Sequence, residues 1–322
     1  MLISLVLLPN IFKFNEPLNA QYCFKYSNLN SLLNIIRRRA LVVLDKKGFL
    51  QAEISENLYN IENDNIKLEL KHLFKTIETG YSKKIEVENN YAGELNQACG
   101  IFISLLNKNG SFNGVFAEAQ ECSECSCKEC ITNRISSNLC TNISEFEGGV
   151  LSEALNKSNI IVNRDCNIDA FKDNIIKPFV ENSVSIIIYD EQISNLNQNS
   201  SDISENFKRN IFYWVDYIYS VNNTVSLKFY TTIKDIGNSI QTKRKLEEIS
   251  KQIQEKYSKS NFEIKIVHKK LHERYFCSDK IIFSCDKGID IVNNSGELID
   301  NIHLSVLENS EAKKIRLEIE QM

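Results

Sequence analysis

Apolar positions along this chain follow two rhythms, one for buried strands and one for amphipathic helices. Residues 2–8 form an almost unbroken apolar run, the texture of a strand covered on both faces. Leu29, Leu32, Leu33, Ile35 and Ile36 then recur at helical spacing and close on Arg37, Arg38 and Arg39, cations that favour a helix C-terminus. Residues 40–44 are again continuously apolar and stop at Asp45 before the Lys47-Gly48 turn, as a buried parallel strand does. The spacing predicts further helices over residues 68–79 and 91–107, and glycines at 110 and 114 predict a loop.

Residues 120–149 are polar, cysteine-rich and without period, which reads as an insertion or linker. Beyond it strands and helices alternate. Residues 160–162, 184–190, 224–231 and 262–267 read as strands, and 171–180, 203–219 and 243–256 as the helices between them, with a hairpin over 275–290. The expected class is therefore α/β with two domains. An N-terminal α/β domain would cover 1–119, a cysteine-rich linker 120–157, and a domain with a mixed sheet flanked by helices 158–322.

A length of 322 residues is enough for two hydrophobic cores, and 43% hydrophobic with 25% charged residues excludes a disordered or fibrous chain. The net charge of −4 provides no global basic field, so any nucleic-acid contact has to be a local patch. The apolar opening run is too short to cross a bilayer and lacks the features of a signal peptide. No transmembrane segment and a cytoplasmic location are expected. Cys122, Cys125, Cys127 and Cys130 form two closely spaced C-x2-C pairs. Such knuckles grip structural zinc, with Cys140 or Cys166 available to replace one ligand; disulfides or unliganded thiols are the alternatives.

The sharpest motif runs from Leu271 to Asp279, where His272 is followed by Arg274 two residues on and by Asp279 at seven. It resembles the H-x-K-x4-D motif of the phospholipase D superfamily with Arg in place of Lys. With Lys287-Gly288-Ile289-Asp290-Ile291 and Ile188-Tyr189-Asp190, it is similar to the phospholipase-D-like C-terminal domain of MIT-domain proteins, over roughly residues 158–308. The resemblance implies His272 as nucleophile, Arg274 as phosphate clamp and Asp279 as orienting acid. His268, Lys270 and Ser284 would line the same phosphate-binding edge. One chain carries one motif, so turnover would need a homodimer presenting two copies of His272. The MIT-associated relatives are regarded as non-catalytic membrane-phosphoinositide binders, which leaves phosphate or partner recognition, and a purely structural network, beside hydrolysis.

In the first half, Asp45 with Glu53 and the later Asp165 resembles the way PIN-like nucleases gather carboxylates around Mg²⁺ at strand ends. Loop carboxylates on a solvated edge are the plainer reading. Together the two resemblances imply a nuclease or phosphodiesterase acting on nucleic acid, in the setting of prokaryotic antiphage defence with an activating partner protein. The alternative is a sensor or adaptor that does not cleave. Phe212, Tyr213, Trp214, Tyr217 and Tyr219 sit at helical spacing and read as a core face rather than a base-stacking surface.

Overall fold

The apolar runs become the central strands of two sheets. The computed structural model describes residues 3–14, 19–87, 114–117, 140–143, 146, 149–156, 158–181, 183–196, 202–233, 239–258 and 262–322. The chain divides after Lys157 into an N-terminal and a C-terminal unit.

In the N-terminal unit β1 (Ile3–Leu7) pairs in parallel with β2 (Ala40–Asp45) on one side and β4 (Gly114–Ala117) on the other. With β3 (Ser82–Ile85) and β5 (Cys140–Asn142) the described sheet has the order β3-β2-β1-β4-β5, all parallel. Helix α1 (Ala20–Arg39) starts where the Asn19 side chain accepts the Tyr22 N–H at 2.8 Å, and it buries Leu29, Leu32, Leu33 and Ile36. Helix α2 (Phe49–Tyr59) follows Gly48 at φ +81°. Helix α3 (Asp64–Gly80) is capped by Asn63 and buries Leu70, Leu73, Phe74 and Ile77, the i, i+3, i+4, i+7 spacing of an apolar stripe.

Two sequence expectations change here. The glycine at 114 opens β4 rather than a loop, and the segment read as a linker contributes both β5 and helix α4 (Val150–Asn156) to the N-terminal unit. The expected helix over 91–107 lies outside the described residues.

Among the described residues the C-terminal unit holds a seven-stranded mixed sheet, ordered β6 (Asn159–Val162), β12 (Ile302–Val306), β11 (Ile282–Cys285), β10 (Tyr275–Ser278), β7 (Ser185–Tyr189), β8 (Ser226–Thr231) and β9 (Glu263–Ile266). Strands β7, β8 and β9 run parallel; β10, β11, β12 and β6 pair antiparallel. Helical residues from Ile168 to Glu181 comprise α5 (Ile168–Phe171), a π-helical turn (Lys172–Ile176) and α6 (Lys177–Glu181), and are followed by α7 (Glu205–Val221) and α8 (Ser239–Tyr257). Trp214 of α7 lies 5.0 Å from the Phe276 ring, which stacks on Phe283 at 5.1 Å, and Phe179 of α6 meets Phe283 edge-on at 4.9 Å. Of the aromatic residues expected on a core face, Trp214 and Tyr219 are core, each contributing roughly 1.5–3 kcal/mol by burial, while Phe212, Tyr213 and Tyr217 are half-buried. On the other face Ile315 and Ile319 of α9 (Asn309–Glu320) cover Tyr189, Tyr230, Tyr275 and Cys277. Among the described residues no helix is long and apolar enough to cross a membrane.

Candidate functional site

Register decides what the His272 motif can do. Tyr275 pairs with Tyr189 and Ser278 with Ile186, so Arg274 lies beside Asp190 at the carboxyl ends of the parallel strands. Asp279 follows the opposite end of β10. Four strand residues intervene, so five steps separate Arg274 from Asp279, about 17 Å at the usual rise. The expected convergence of His272, Arg274 and Asp279 on one pocket is therefore corrected. Asp279 instead accepts the Val184 N–H at 2.8 Å and the Ser185 N–H at 3.5 Å, tying the start of β7 to the end of β10, and pairs with Lys280 at 3.5 Å.

What does converge is Asp190, Arg274 and the turn after β11. Asp190 is fully buried; one carboxylate oxygen accepts the Gln192 N–H at 2.8 Å and the other the Ile289 N–H at 2.9 Å. The Arg274 Nε stands 3.5 Å from Asp190, and its guanidinium also donates to the Asp286 carbonyl. Burial pushes the Asp190 carboxyl above the ordinary range, opposed by those two N–H groups and the Arg274 charge. Gly288 adopts φ +61°, and a Cβ there would lie 2.0 Å from the Asp190 carboxylate and 2.5 Å from the Arg274 side chain. Only glycine admits this approach.

Helix α7 holds the rest of the turn. The fully buried Asn210 donates to the Asp290 carboxylate at 3.0 Å and accepts the Val292 N–H at 3.2 Å, while Trp214 Nε1 donates to the Ile289 carbonyl at 3.1 Å. Arg209 donates to the Val292 carbonyl at 3.0 Å and to the Asn294 side chain. Burial raises the Asp290 carboxyl, and Arg209 and Arg274 oppose the rise.

His272 is exposed, on a connection held by the Leu271 N–H donated to the Tyr189 hydroxyl at 2.9 Å. Lys270 pairs with Glu191 at 2.7 Å and Lys269 with Glu318 at 3.4 Å, so both cations face carboxylates. His268 is exposed at the mouth of a groove between α8 and β9. Ser284 pairs with Tyr275 and shares its face, the one covered by α9, whereas Arg274, the preceding residue, reaches Asp190 on the opposite face. Ser284 is thus corrected out of a site with Arg274.

The three carboxylates expected around Mg²⁺ are found in both units. Asp45 is fully buried, and its two carboxylate oxygens accept the Phe49 and Leu50 N–H groups at 2.9 Å each, so it serves as the anion at the N-terminus of α2. Glu53 is half-buried on α2, and Asp165 is exposed after β6 in the C-terminal unit, on a different sheet from Asp45. Cys122, Cys125, Cys127 and Cys130 lie outside the described residues. Cys166, the suggested substitute ligand, belongs to the C-terminal unit, where its thiol lies 3.5 Å from the Asn167 carbonyl.

Sequence reasoning missed the role of Asp190 as the hub. Its signal was present, an acid directly after a continuous apolar strand, but the motif drew attention to Asp279. Compared with known proteins, the chain matches no family model and no curated sequence.

Proposed function

We propose that the C-terminal unit is a non-catalytic recognition module of phospholipase-D-like design, one that binds a partner rather than cleaving a phosphodiester. The observation that carries this reading is the commitment of Arg274. A clamp for a transferring phosphoryl group needs its donors aimed at open space beside the nucleophile. Here the guanidinium is directed at the Asp190 carboxylate and the Asp286 carbonyl, and it braces the turn that continues through Gly288 to Asp290. With Asp279 beyond the opposite end of β10, His272 also lacks the acid expected to orient it. Neither the groove between α8 and β9 nor the one beside β6 is lined by His272 or Arg274.

The same cluster does something useful for recognition. It fixes residues 286–292 on a rigid frame, and rigid frames make good presenters of binding loops.

The test is cleavage of DNA, RNA and a generic bis-ester phosphate by the full chain, with and without EDTA. No turnover above background is expected, and His272→Ala should leave the result and the melting temperature unchanged. EDTA-resistant cleavage abolished in His272→Ala would overturn the reading in favour of phospholipase-D-type hydrolysis. Cleavage requiring Mg²⁺ and lost in Asp45→Asn would point instead to the N-terminal unit.

A further inference from the structure

The last strand of the C-terminal sheet carries a surface that the motif does not use. Among the described residues strand β9 is a terminal strand, paired only with β8. The Val267 N–H donates to the Thr231 carbonyl at 2.8 Å, so by alternation the backbone groups of Ile264 and Ile266 point the other way, off the edge of the sheet. Such an edge is a template for a further strand.

The side chains say which strand fits. Ile264 and Ile266 pair with Phe229 and Thr231 and face α8, where a groove of about 800 Å³ is lined by Ile233 and Ile240 and by the charged row Lys243, Arg244, Glu247 and Lys251 of the helix. Ile240 in that lining is 86% exposed. Glu263 and Lys265 occupy the opposite face, Glu263 3.5 Å from Lys228 and the Lys265 ammonium 5.4 Å from the Tyr230 ring centroid. An added antiparallel strand therefore needs apolar residues beside Ile264 and Ile266, a cation opposite Glu263 and an acid opposite Lys265.

Strand β9 itself meets that description. Two copies placed antiparallel about a two-fold axis through Ile264 pair Ile264 with its own symmetry mate and Glu263 with Lys265 of the other copy, twice over. These charges fall on non-hydrogen-bonded positions, where cross-strand side chains come closest. Glu263 can keep Lys228 while it gains the second cation. A lone charge on an edge strand repels its own copy, whereas this alternation about Ile264 is self-complementary.

We infer that the protein forms a two-fold dimer through β9, joining two seven-stranded sheets edge to edge. This goes beyond the recognition reading and bears on it. Seven strand spacings separate β10 from its mate across such a sheet, roughly 34 Å at 4.8 Å each, so the two copies of His272 stay far apart. A dimer of this kind leaves each module single-headed and doubles its valency for a partner.

The full chain should show concentration-dependent dimerisation by sedimentation velocity. Glu263→Lys places lysines on both sides of each cross-strand pair and Lys265→Glu places carboxylates there. Each should raise the dimer dissociation constant by on the order of tenfold or more. The double variant Glu263→Lys/Lys265→Glu should restore it, and mixing the two single variants should give a heterodimer where neither self-associates. Circular-dichroism melts confirm that each variant is folded. A chain monomeric at all accessible concentrations overturns the inference, as does a dimer indifferent to the single reversals or one the double variant fails to rescue. Phosphodiester cleavage would sink the recognition reading and leave the dimer standing, so the two failures are distinguishable.

Discussion

Asp190 explains why one buried carboxylate can organise so much chain. It has no exposed surface, yet it is met by two backbone N–H groups and a guanidinium, so its charge is compensated from three directions. Removing it strands Arg274, which is only 23% exposed, and frees the Gly288-Ile289 turn. Asp190→Ala should therefore cost about 3–5 kcal/mol in urea melts, the usual penalty for breaking a buried pair from one side. Asp190→Asn retains an acceptor and roughly the same volume, so its cost should be visibly smaller. Gly288→Ala meets the same carboxylate from the other direction, at 2.0 Å with φ +61°, and should lose at least about 2 kcal/mol through combined clash and backbone strain. By contrast Asp279→Ala forfeits hydrogen bonds to the Val184 and Ser185 N–H groups and a part-exposed pairing with Lys280, and should cost about 1 kcal/mol. An Asp279→Ala loss as large as that of Asp190→Ala would mean that the motif acid, not the buried hub, organises the site.

Helix α7 and helix α9 cover the two faces of the C-terminal sheet, and they were not equally visible in the sequence. In α7 the buried set Phe207, Ile211, Trp214, Val215 and Ile218 is large, apolar and regularly spaced, and the expected helix over 203–219 agrees with Glu205–Val221. In α9 only Ile315 and Ile319 are fully committed to the core among many charges, too thin a stripe to stand out from a solvated segment. Strand β5 is three residues long inside a polar stretch, and its existence depends on β4 beside it rather than on its own pattern. Strands with an apolar run, β2 above all, were legible because burial on both faces leaves hardly a polar position. The functional cluster was legible only in fragments. Asp190, Arg274 and Gly288 are brought together by the antiparallel register of β10 on β7, and register is a tertiary fact that no local spacing encodes. Trp214→Ala tests the weight of the stripe that was visible. It removes a ring packed on Phe276 and a hydrogen bond to the Ile289 carbonyl, and should cost about 3–5 kcal/mol by chemical denaturation.

Both faces of the C-terminal sheet also bury groups that titrate only at high pH, and this makes alkaline stability a property of the folded unit as a body. Burial pushes the thiols of Cys277 and Cys285 from an ordinary 9.0 up to about 12, and the Tyr275 and Tyr219 hydroxyls from 10.0 up to about 12. A raised folded-state value means that the fold favours the protonated form. Its stabilising contribution is complete below the unfolded value, and it fades as pH rises through the interval up to the folded one. Stability should accordingly be level near neutrality and fall from pH 9 towards 12, each group steepening the fall by at most about 1.4 kcal/mol per pH unit. Urea melts at stepped pH check the slope, and Cys277→Ala with Cys285→Ala should flatten its thiol share, between 9 and 12, whatever they cost at pH 7. The same burial protects the thiols chemically, since the thiolate is the reactive species. Under native conditions at pH 8 an aromatic disulfide reagent should modify the exposed Cys23 quickly, and Cys277 and Cys285 only at the rate of unfolding. Rapid modification of either buried cysteine in the folded protein would show that α7 or α9 leaves the sheet far more often than its packing allows.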